Sequence, residues 1–140
     1  MQKIKIDWNN LKIGDRLIRT KGNTIIQHHV IYMGYWEGVY LIAENQNGFG
    51  VQYITLNQFL SEGTLIKVKY NHFDENAQVN IIDRVNQRIG KAYDLRKYNC
   101  EHFVNDVLNG VVESKQVQAA FAVGVGITLA TLAYQNSKQK

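Results

Sequence analysis

The one cysteine of the sequence, Cys100, lies in the stretch Asn-Cys-Glu-His-Phe-Val at positions 99–104. Asn99 is a favourable helix N-cap because its side-chain oxygen can accept a backbone N–H of the first turn, so a helix is predicted from Cys100 to about Leu108. A thiol in the first turn is close to the positive end of the helix dipole, which favours the thiolate and lowers the thiol pKa. Cys100 is therefore a candidate nucleophile, with a small buried hydrophobe as the ordinary alternative.

A nucleophilic thiol needs a nearby base, and four histidines compete for that role. His102 follows Cys100 by two residues in the predicted helix, so its side chain projects about 200° away from the thiol. His72 falls in a polar segment that is expected to be a loop. His28 and His29 are neighbours in a predicted strand and must point to opposite faces. One of the two therefore faces the cysteine helix, as in cysteine enzymes, unless both are ordinary strand residues.

Patterns of apolar and polar residues indicate the elements that must position these groups. Within residues 11–19 a turn is predicted at Gly14-Asp15, followed by a strand, and further strands are predicted at 24–33, 39–43, 51–55 and 64–70. A loop is expected at 34–38, a short helical turn at 56–60 and an amphipathic helix over Gln78–Ile89. The inward-facing residues of that helix are expected to be Ile81, Ile82, Val85 and Ile89. The predicted class is α+β, with a small antiparallel sheet packed on helices.

Composition narrows the classes of protein further. The chain has 140 residues, of which 45% are hydrophobic and 20% charged, as expected for one globular domain. A single cysteine fits a reducing compartment, and the first residues lack the apolar segment of a secretory signal. The net charge of +4 favours acidic surfaces such as anionic lipid, but the basic residues are scattered. We therefore expect no nucleic-acid partner, and the lack of clustered Cys and His residues predicts no metal and no cofactor.

Three pieces of the sequence resemble the lecithin:retinol acyltransferase family, especially its HRAS-like suppressor phospholipase/acyltransferases. They are Gly14-Asp15, His28–Gly34 and Asn99–Asn105, in the family order and at compatible spacings. The resemblance spans roughly residues 11–134 and implies a circularly permuted papain-like (NlpC-like) fold, in which a strand histidine precedes the cysteine. It also implies that Cys100 is the nucleophile and that His28 is the general base.

The sequence departs from that family at the residue that orients the base. The family has a second histidine further along the chain, where this protein has Tyr40. If the hairpin between the second and third strands is centred on Trp36, the residue opposite His28 lies close to Glu44. A carboxylate can orient an imidazole and stabilise its protonated form. We therefore predict Glu44 as the orienting residue and Asn45 as the second candidate, unless this segment merely ends a strand.

The C-terminal segment has no charged residue from Gln116 to Ser137, and Val117–Tyr134 is mostly Ala, Val, Gly, Leu and Ile. As a helix this stretch is about 27 Å long, close to the thickness of a bilayer hydrocarbon core. The resembling proteins carry a membrane-tethering hydrophobic tail at this place. We therefore expect a cytoplasmic catalytic domain at residues 1–112, and a hydrophobic helix with a basic tail at 113–140 that associates with membranes. A soluble buried helix or a homo-oligomer contact through this helix is the alternative.

The activity that the resemblance implies is acyl transfer from a glycerophospholipid. Cys100 would attack an ester carbonyl and form an acyl-thioester, and water or an amine or alcohol acceptor would then take the acyl group. The backbone N–H of Cys100 is a candidate oxyanion donor. Two other classes stay open: a cysteine amidase or peptidase of the NlpC-like group, and a non-catalytic membrane-associated interaction or remodelling module. The missing second histidine favours the last of these.

Overall fold

The computed structural model describes residues 4–122, which form a five-stranded antiparallel sheet with helices. The strand order is β4-β3-β2-β1-β5. In chain order the elements are β1 Arg16–Thr20, β2 Gln27–Trp36, β3 Val39–Gln46, β4 Gly50–Thr55, α1 Leu56–Ser61, β5 Leu65–Lys69, α2 Glu75–Arg88, α3 Cys100–Asn109 and α4 Lys115–Ala122. The predicted α+β class with a small antiparallel sheet is confirmed.

Alternation along β2 sorts the core into two layers on opposite faces of the sheet. On one face Ile31 packs with Phe103 of α3 and Ile81 of α2. On the other face Val30 packs with Phe59 of α1. Burying a side chain of this size contributes about 1.5–3 kcal/mol, so β2 is stabilised from both sides. This doubly buried strand carries both candidate bases.

The β2–β3 hairpin is tighter than the sequence pattern suggested. The predicted loop at 34–38 is wrong, because β2 continues to Trp36 and pairs there with Val39. Only Glu37 and Gly38 form the turn, and their φ angles are +48° and +87°. Positive φ at both central residues is what a type I′ hairpin turn requires, and its twist matches that of the flanking strands. The register also shifts between Tyr32 and Gly34, which marks a β-bulge.

Strands β2 and β3 separate at the open end of the hairpin, which is the end away from the turn. Their described ladder ends at the pair Ile31–Ala43. Beyond it, the first residues of β2 pair with β1, and the last residues of β3 pair with β4. The sheet therefore has an opening between its second and third strands.

The start of α3 contacts both strands at this opening. On the β3 side, Asn45 Nδ2 donates to the carbonyl oxygens of Tyr98 at 2.7 Å and Asn99 at 3.4 Å. On the β2 side, Cys100 Sγ lies 3.7 Å from the carbonyl oxygen of Gln27. The thiol is thus brought to the backbone of the strand that carries the histidines.

Helix α2 begins earlier than predicted. The side chain of Asp74 accepts a hydrogen bond from the backbone N–H of Ala77 at 2.9 Å, as an N-cap residue does. The helix therefore runs over Glu75–Arg88 and not over Gln78–Ile89. Ile89, which was expected to face inward, lies past the last turn and is 44% exposed.

Helix α4, Lys115–Ala122, coincides with the start of the predicted C-terminal hydrophobic helix. Val117 and Ala120 are buried against the domain. The rest of the predicted helix, up to Tyr134, and the basic tail lie outside the described residues. Within residues 4–122, no helix has the length and apolar character needed to cross a membrane.

Candidate active site

Cys100 is the first residue of α3, and Asn99 is the N-cap, as predicted. Asn99 Oδ1 accepts hydrogen bonds from the backbone N–H groups of Glu101 at 2.9 Å and His102 at 3.0 Å. In return, the backbone N–H of Asn99 donates to His102 Nδ1 at 2.9 Å, which completes a capping box. The imidazole of His102 therefore caps the helix, in agreement with its exclusion as the base.

The thiol of Cys100 is buried, yet its pKa lies below the ordinary value of a cysteine. Burial raises this pKa. Hydrogen bonding by His28, the positive charges of Lys21 and His28 and the backbone N–H of His29 lower it by more than burial raises it, to about 7. A large fraction of the sulfur is therefore thiolate at neutral pH, and the thiolate is the nucleophilic form of cysteine.

His28 is fully buried, and a carboxylate fixes its ring. His28 Nε2 lies 2.8 Å from Glu44 Oε1, and Glu44 Oε2 accepts a hydrogen bond from Gln52 Nε2, also at 2.8 Å. Burial raises the pKa of Glu44. Its hydrogen bond with His28 and the positive charge of His28 lower this pKa by more than burial raises it, so the carboxylate is ionised. His28 Nδ1 has no hydrogen-bond partner among the described atoms, so this nitrogen is free to accept the proton of the neighbouring Cys100 thiol, whose pKa His28 lowers.

Glu44 meets His28 through a different register from the one assumed. The ladder pairs Ile31 with Ala43, so Glu44 lies diagonally across from His28 and not directly opposite it. A hairpin centred on Trp36 is therefore wrong. The contact forms all the same, because alternate residues of paired strands share a face and a diagonal neighbour is within reach of long side chains.

Asn45, the second candidate for the orienting residue, does not contact His28. As the neighbour of Glu44 in β3 it points to the other face of the sheet. Its side-chain amide donates instead to the carbonyl oxygens of Tyr98 and Asn99. Asn45 therefore holds the start of α3 against the sheet.

His29 faces the body of α3, and its ring is occupied by a residue that the sequence analysis missed. His29 Nδ1 accepts from Arg16 Nε at 3.0 Å and lies 2.7 Å from Arg16 Nη2. Burial and then the positive charge of Arg16 lower the pKa of His29 to about 2, so the ring is neutral. Arg16 Nη1 also donates to Asn105 Oδ1 at 2.6 Å. Because cationic donors occupy its Nδ1, His29 is excluded as the base.

The segment after α3 covers the thiol, and no sequence pattern indicated this. Glu101 Oε1 accepts hydrogen bonds from Ser114 Oγ at 2.7 Å and from the backbone N–H of Gln116 at 3.1 Å. The Gln116 side chain in turn pairs with the backbone N–H and carbonyl of Gln27, at 3.1 and 3.3 Å. Since the carbonyl oxygen of Gln27 lies 3.7 Å from the sulfur of Cys100, these hydrogen bonds hold α4 beside the thiol.

The ionisable groups beside the start of α3 form one series of contacts. Among residues 4–122, no three His, Cys, Asp or Glu side chains come together as a metal site would require. The described groups that converge are a thiol, an imidazole and a carboxylate, in the order Cys100, His28 and Glu44. This is the arrangement of nucleophile, base and orienting group that serves acyl transfer on several unrelated folds.

Comparisons with known proteins agree with this geometry. The sequence model of the permuted papain-like amidase enzymes, YaeF/YiiX, C92 family, matches residues 12–131. Phospholipase A and acyltransferase 3 of Mus musculus is 43% identical over 70 residues, which cover 43% of each chain. The protein of the same name from Pongo abelii is 41% identical over 58 residues, covering 37% of this chain and 36% of the relative. The match thus spans less than half the length of these curated relatives.

The family model covers most of the chain, including both Cys100 and His28. The order in which the strand histidine precedes the cysteine is the permuted order that the resemblance implied. The chain belongs to the permuted papain-like amidase family.

Proposed function

We propose that this protein is a cysteine-dependent acyl hydrolase and acyltransferase that acts on phospholipid esters. Cys100 is the nucleophile, His28 the general base and Glu44 the residue that orients His28. The observation that supports this most directly is a buried thiol with a pKa of about 7, next to an imidazole whose far nitrogen is held by a carboxylate at 2.8 Å. The names of the two curated relatives support an ester of a phospholipid as the substrate.

In the first half-reaction, His28 Nδ1 takes the thiol proton and the sulfur of Cys100 attacks the ester carbonyl carbon. A C–S bond forms, and the carbonyl electron pair moves to the oxygen. The tetrahedral adduct then collapses, the ester C–O bond breaks, and the imidazolium of His28 returns its proton to the departing lysophospholipid oxygen. Glu44 stabilises the imidazolium between the two proton transfers. The product on the protein is an acyl-thioester.

In the second half-reaction, His28 takes a proton from water, or from an amine or alcohol acceptor, whose oxygen or nitrogen attacks the thioester. Collapse of the second adduct breaks the C–S bond and returns the proton to the sulfur of Cys100. In both adducts the negative oxygen needs a hydrogen-bond donor. The backbone N–H of Cys100 is suited to this because, as the first N–H of α3, it has no acceptor within the helix.

A small pocket of about 10 Å³ lies beside the thiol, with room for about one water molecule. Its lining includes Leu95, Val117 and Tyr93, which offer apolar surface, and the buried Lys21. Lys21 contributes positive charge that favours the thiolate of Cys100, and the same charge would favour the anionic adduct. The lining therefore offers positive charge for the reacting oxygen, and an acyl chain enters only if the lining side chains move.

The experiment is to incubate the full chain with phosphatidylcholine and to measure both fatty-acid release and the intact mass of the protein. An adduct of one acyl chain on Cys100 is expected, together with released fatty acid. Cys100→Ala should show neither, and Lys5→Gln, at an exposed position outside the site, should behave as the unmodified protein. The proposal is wrong if no adduct and no fatty acid form, or if Cys100→Ala releases fatty acid at the same rate.

Amide hydrolysis is the second candidate, because the family model that covers residues 12–131 describes amidases. The same thiolate can attack an amide carbonyl, provided that His28 protonates the departing amine. An acyl amide and an acyl ester with the same chain decide the matter: faster turnover of the amide would make this an amidase. The non-catalytic alternative rested on the missing second histidine, and the contact between Glu44 Oε1 and His28 Nε2 argues against it.

We further propose that residues 113–140 attach the cytoplasmic catalytic domain, residues 1–112, to membranes. The support is the uncharged apolar sequence from Val117 to Tyr134. The full chain should co-sediment with phospholipid vesicles, and Leu129→Lys should weaken this by placing a charge in the apolar run. The full chain could instead form oligomers in the absence of vesicles. If Leu129→Lys dissociates such oligomers, the segment joins copies of the protein.

A further inference from the structure

A groove of about 710 Å³ opens beside the candidate active site, between β1, β5 and the connection from α3 to α4. Its volume lies within the range of about 300–1,000 Å³ that is typical of small-molecule sites. Gln27 and Gln116 line both this groove and the small pocket at the thiol. The two cavities are therefore neighbours, separated by the hydrogen-bonded pair that these glutamines form.

Basic residues predominate in the groove. Its charged lining consists of Arg16, Lys67, Lys69 and Lys115 against Glu101 and Glu113. Lys67 and Lys69 are exposed alternate residues of the edge strand β5, so they share a face. In the described part of the chain no carboxylate lies within ion-pair distance of either lysine. Their charges are therefore available to an anionic ligand.

The floor of the groove adds a fixed neutral donor. Because His29 Nδ1 accepts hydrogen bonds from Arg16, the ring proton of His29 is on Nε2. That N–H has only a long contact of 3.3 Å to Gln27 Oε1 and lies 3.9 Å from Glu101 Oε2. His29 is 4% exposed, so its ring is held in place by burial as well as by Arg16. A buried N–H and two exposed ammonium groups suit the oxygens of a phosphate.

An apolar side chain lies in the lining of the same groove. Ile25, in the turn between β1 and β2, is 95% exposed and is a lining residue. A ligand with a phosphate at one end and hydrocarbon at the other could contact both Ile25 and the lysines. This combination favours a phospholipid over free phosphate, which has no part for Ile25 to contact.

We propose that this groove binds the phosphodiester headgroup of the phospholipid whose acyl ester reacts at Cys100. Lys67 and Lys69 bind the phosphate oxygens, His29 Nε2 donates at the floor, and Ile25 contacts the apolar part of the lipid. The proposal rests on the proposed function for its substrate class. It makes the groove a determinant of specificity for phosphate-bearing esters, next to the reacting atoms but distinct from them.

The first test compares phosphatidylcholine with a diacylglycerol that has the same acyl chains, both in mixed micelles. In the double variant Lys67→Gln/Lys69→Gln, the ratio of kcat/KM for phosphatidylcholine to kcat/KM for diacylglycerol should fall about threefold to tenfold, as expected for two exposed charge contacts. The fall should shrink in high salt. Lys5→Gln/Lys12→Gln removes two exposed charges outside the groove and should leave the ratio unchanged. An unchanged ratio in the groove variant, or an equal fall in both variants, would overturn the proposal.

The second test measures binding and does not depend on turnover. Cys100→Ala is titrated with dihexanoyl phosphatidylcholine below its micelle concentration, and separately with inorganic phosphate, while amide chemical shifts are followed. Saturable shifts of groove residues that weaken about threefold to tenfold in Lys67→Gln/Lys69→Gln support the proposal, even if the lipid is never hydrolysed. No binding, binding that the lysines do not affect, or binding of inorganic phosphate alone would overturn it.

Discussion

Replacing Glu44 by glutamine tests the catalytic assignment at its most specific point. Glutamine has the same shape and can keep a hydrogen bond to His28 Nε2, but it has no negative charge. The carboxylate and the imidazole are 2.8 Å apart, and their side chains are 3% and 0% exposed, so water hardly screens the pair. Glu44 favours the state in which the ring is protonated and the sulfur of Cys100 is thiolate. Loss of its charge must therefore raise the pKa of the thiol.

The size of this rise follows from the contact. A hydrogen bond to a charged group contributes about 1.5–3 kcal/mol, and one between neutral groups about 0.5–1.5 kcal/mol, so the variant loses about 1–1.5 kcal/mol from the ionised pair. One pKa unit corresponds to about 1.36 kcal/mol. The pKa of Cys100 should thus move from about 7 to about 8. At pH 7 the thiolate fraction should fall from about one half to about one tenth.

The assay measures the rate of alkylation of Cys100 by iodoacetamide between pH 5 and 10. The pH at which this rate is half-maximal, the midpoint, is taken as the thiol pKa. Glu44→Gln should shift the midpoint upward by about one unit and slow acyl-adduct formation at pH 7. Glu75→Gln is the matched control, since it removes a carboxylate at an exposed position in the first turn of α2 and should leave the midpoint in place. If Glu44→Gln keeps the midpoint and a native-like Tm, Glu44 does not act on the thiol through its charge and the reasoning is refuted.

Further predictions concern the thiol, its helix and a neighbouring ion pair. In the unmodified protein, the rate of alkylation of Cys100 should be half-maximal near pH 7. His28→Ala should raise that midpoint, because burial raises the pKa of the thiol and His28 no longer lowers it. An unchanged midpoint would contradict the assignment of the base. Asn99→Ala should lower the free energy of unfolding by about 0.5–2 kcal/mol through loss of the N-cap, measured by urea denaturation, whereas Asn99→Ser, which keeps an accepting oxygen, should lose less. Burial raises the pKa of Asp106, but hydrogen bonds with Arg88 and Tyr98 lower this pKa by more than burial raises it. Its contribution to stability is therefore complete above the unfolded pKa of about 3.9 and is lost as pH falls through the lower folded value; urea denaturation of Asp106→Asn should show a weaker loss of stability below pH 4, and an equal loss would contradict this.

Much of the sheet and of α3 could be predicted because their signals are local. The cap at Asn99 and the apolar spacing after it determine the start of α3, so its first residue could be read from a few neighbouring positions. Alternation in β2 and β3 puts Glu44 and His28 on one face even though the assumed hairpin centre was wrong. An error in register of two residues preserves the face of every side chain, whereas an error of one would reverse it. This is why the Glu44 contact could be anticipated without the correct turn.

The remaining features depend on contacts between distant parts of the chain, for which no periodic pattern exists. Arg16 reaches His29 across the β1–β2 pairing, and Asn105 fixes its other end from α3. Glu101 was singled out only as part of a motif, since its partners, Ser114 and the backbone of Gln116, belong to a segment whose position depends on the whole domain. Residues of this kind are ordinary polar residues in the sequence and acquire their roles only through packing.

The opening between β2 and β3 makes the reactivity of the thiol conditional on completed folding. Gln27, which the sulfur contacts, precedes Cys100 by 73 residues, and bringing two such distant segments together carries a loop-closure cost that must be met before the contact forms. Until α3 docks in the opening, Cys100 is an ordinary cysteine without its base. A nascent or heat-loosened chain would therefore carry a slow, unselective thiol, and rapid alkylation at neutral pH would report on assembly of the domain as a whole. The proposed acylation of Cys100 would then require the folded domain, and a partly folded chain would not begin it.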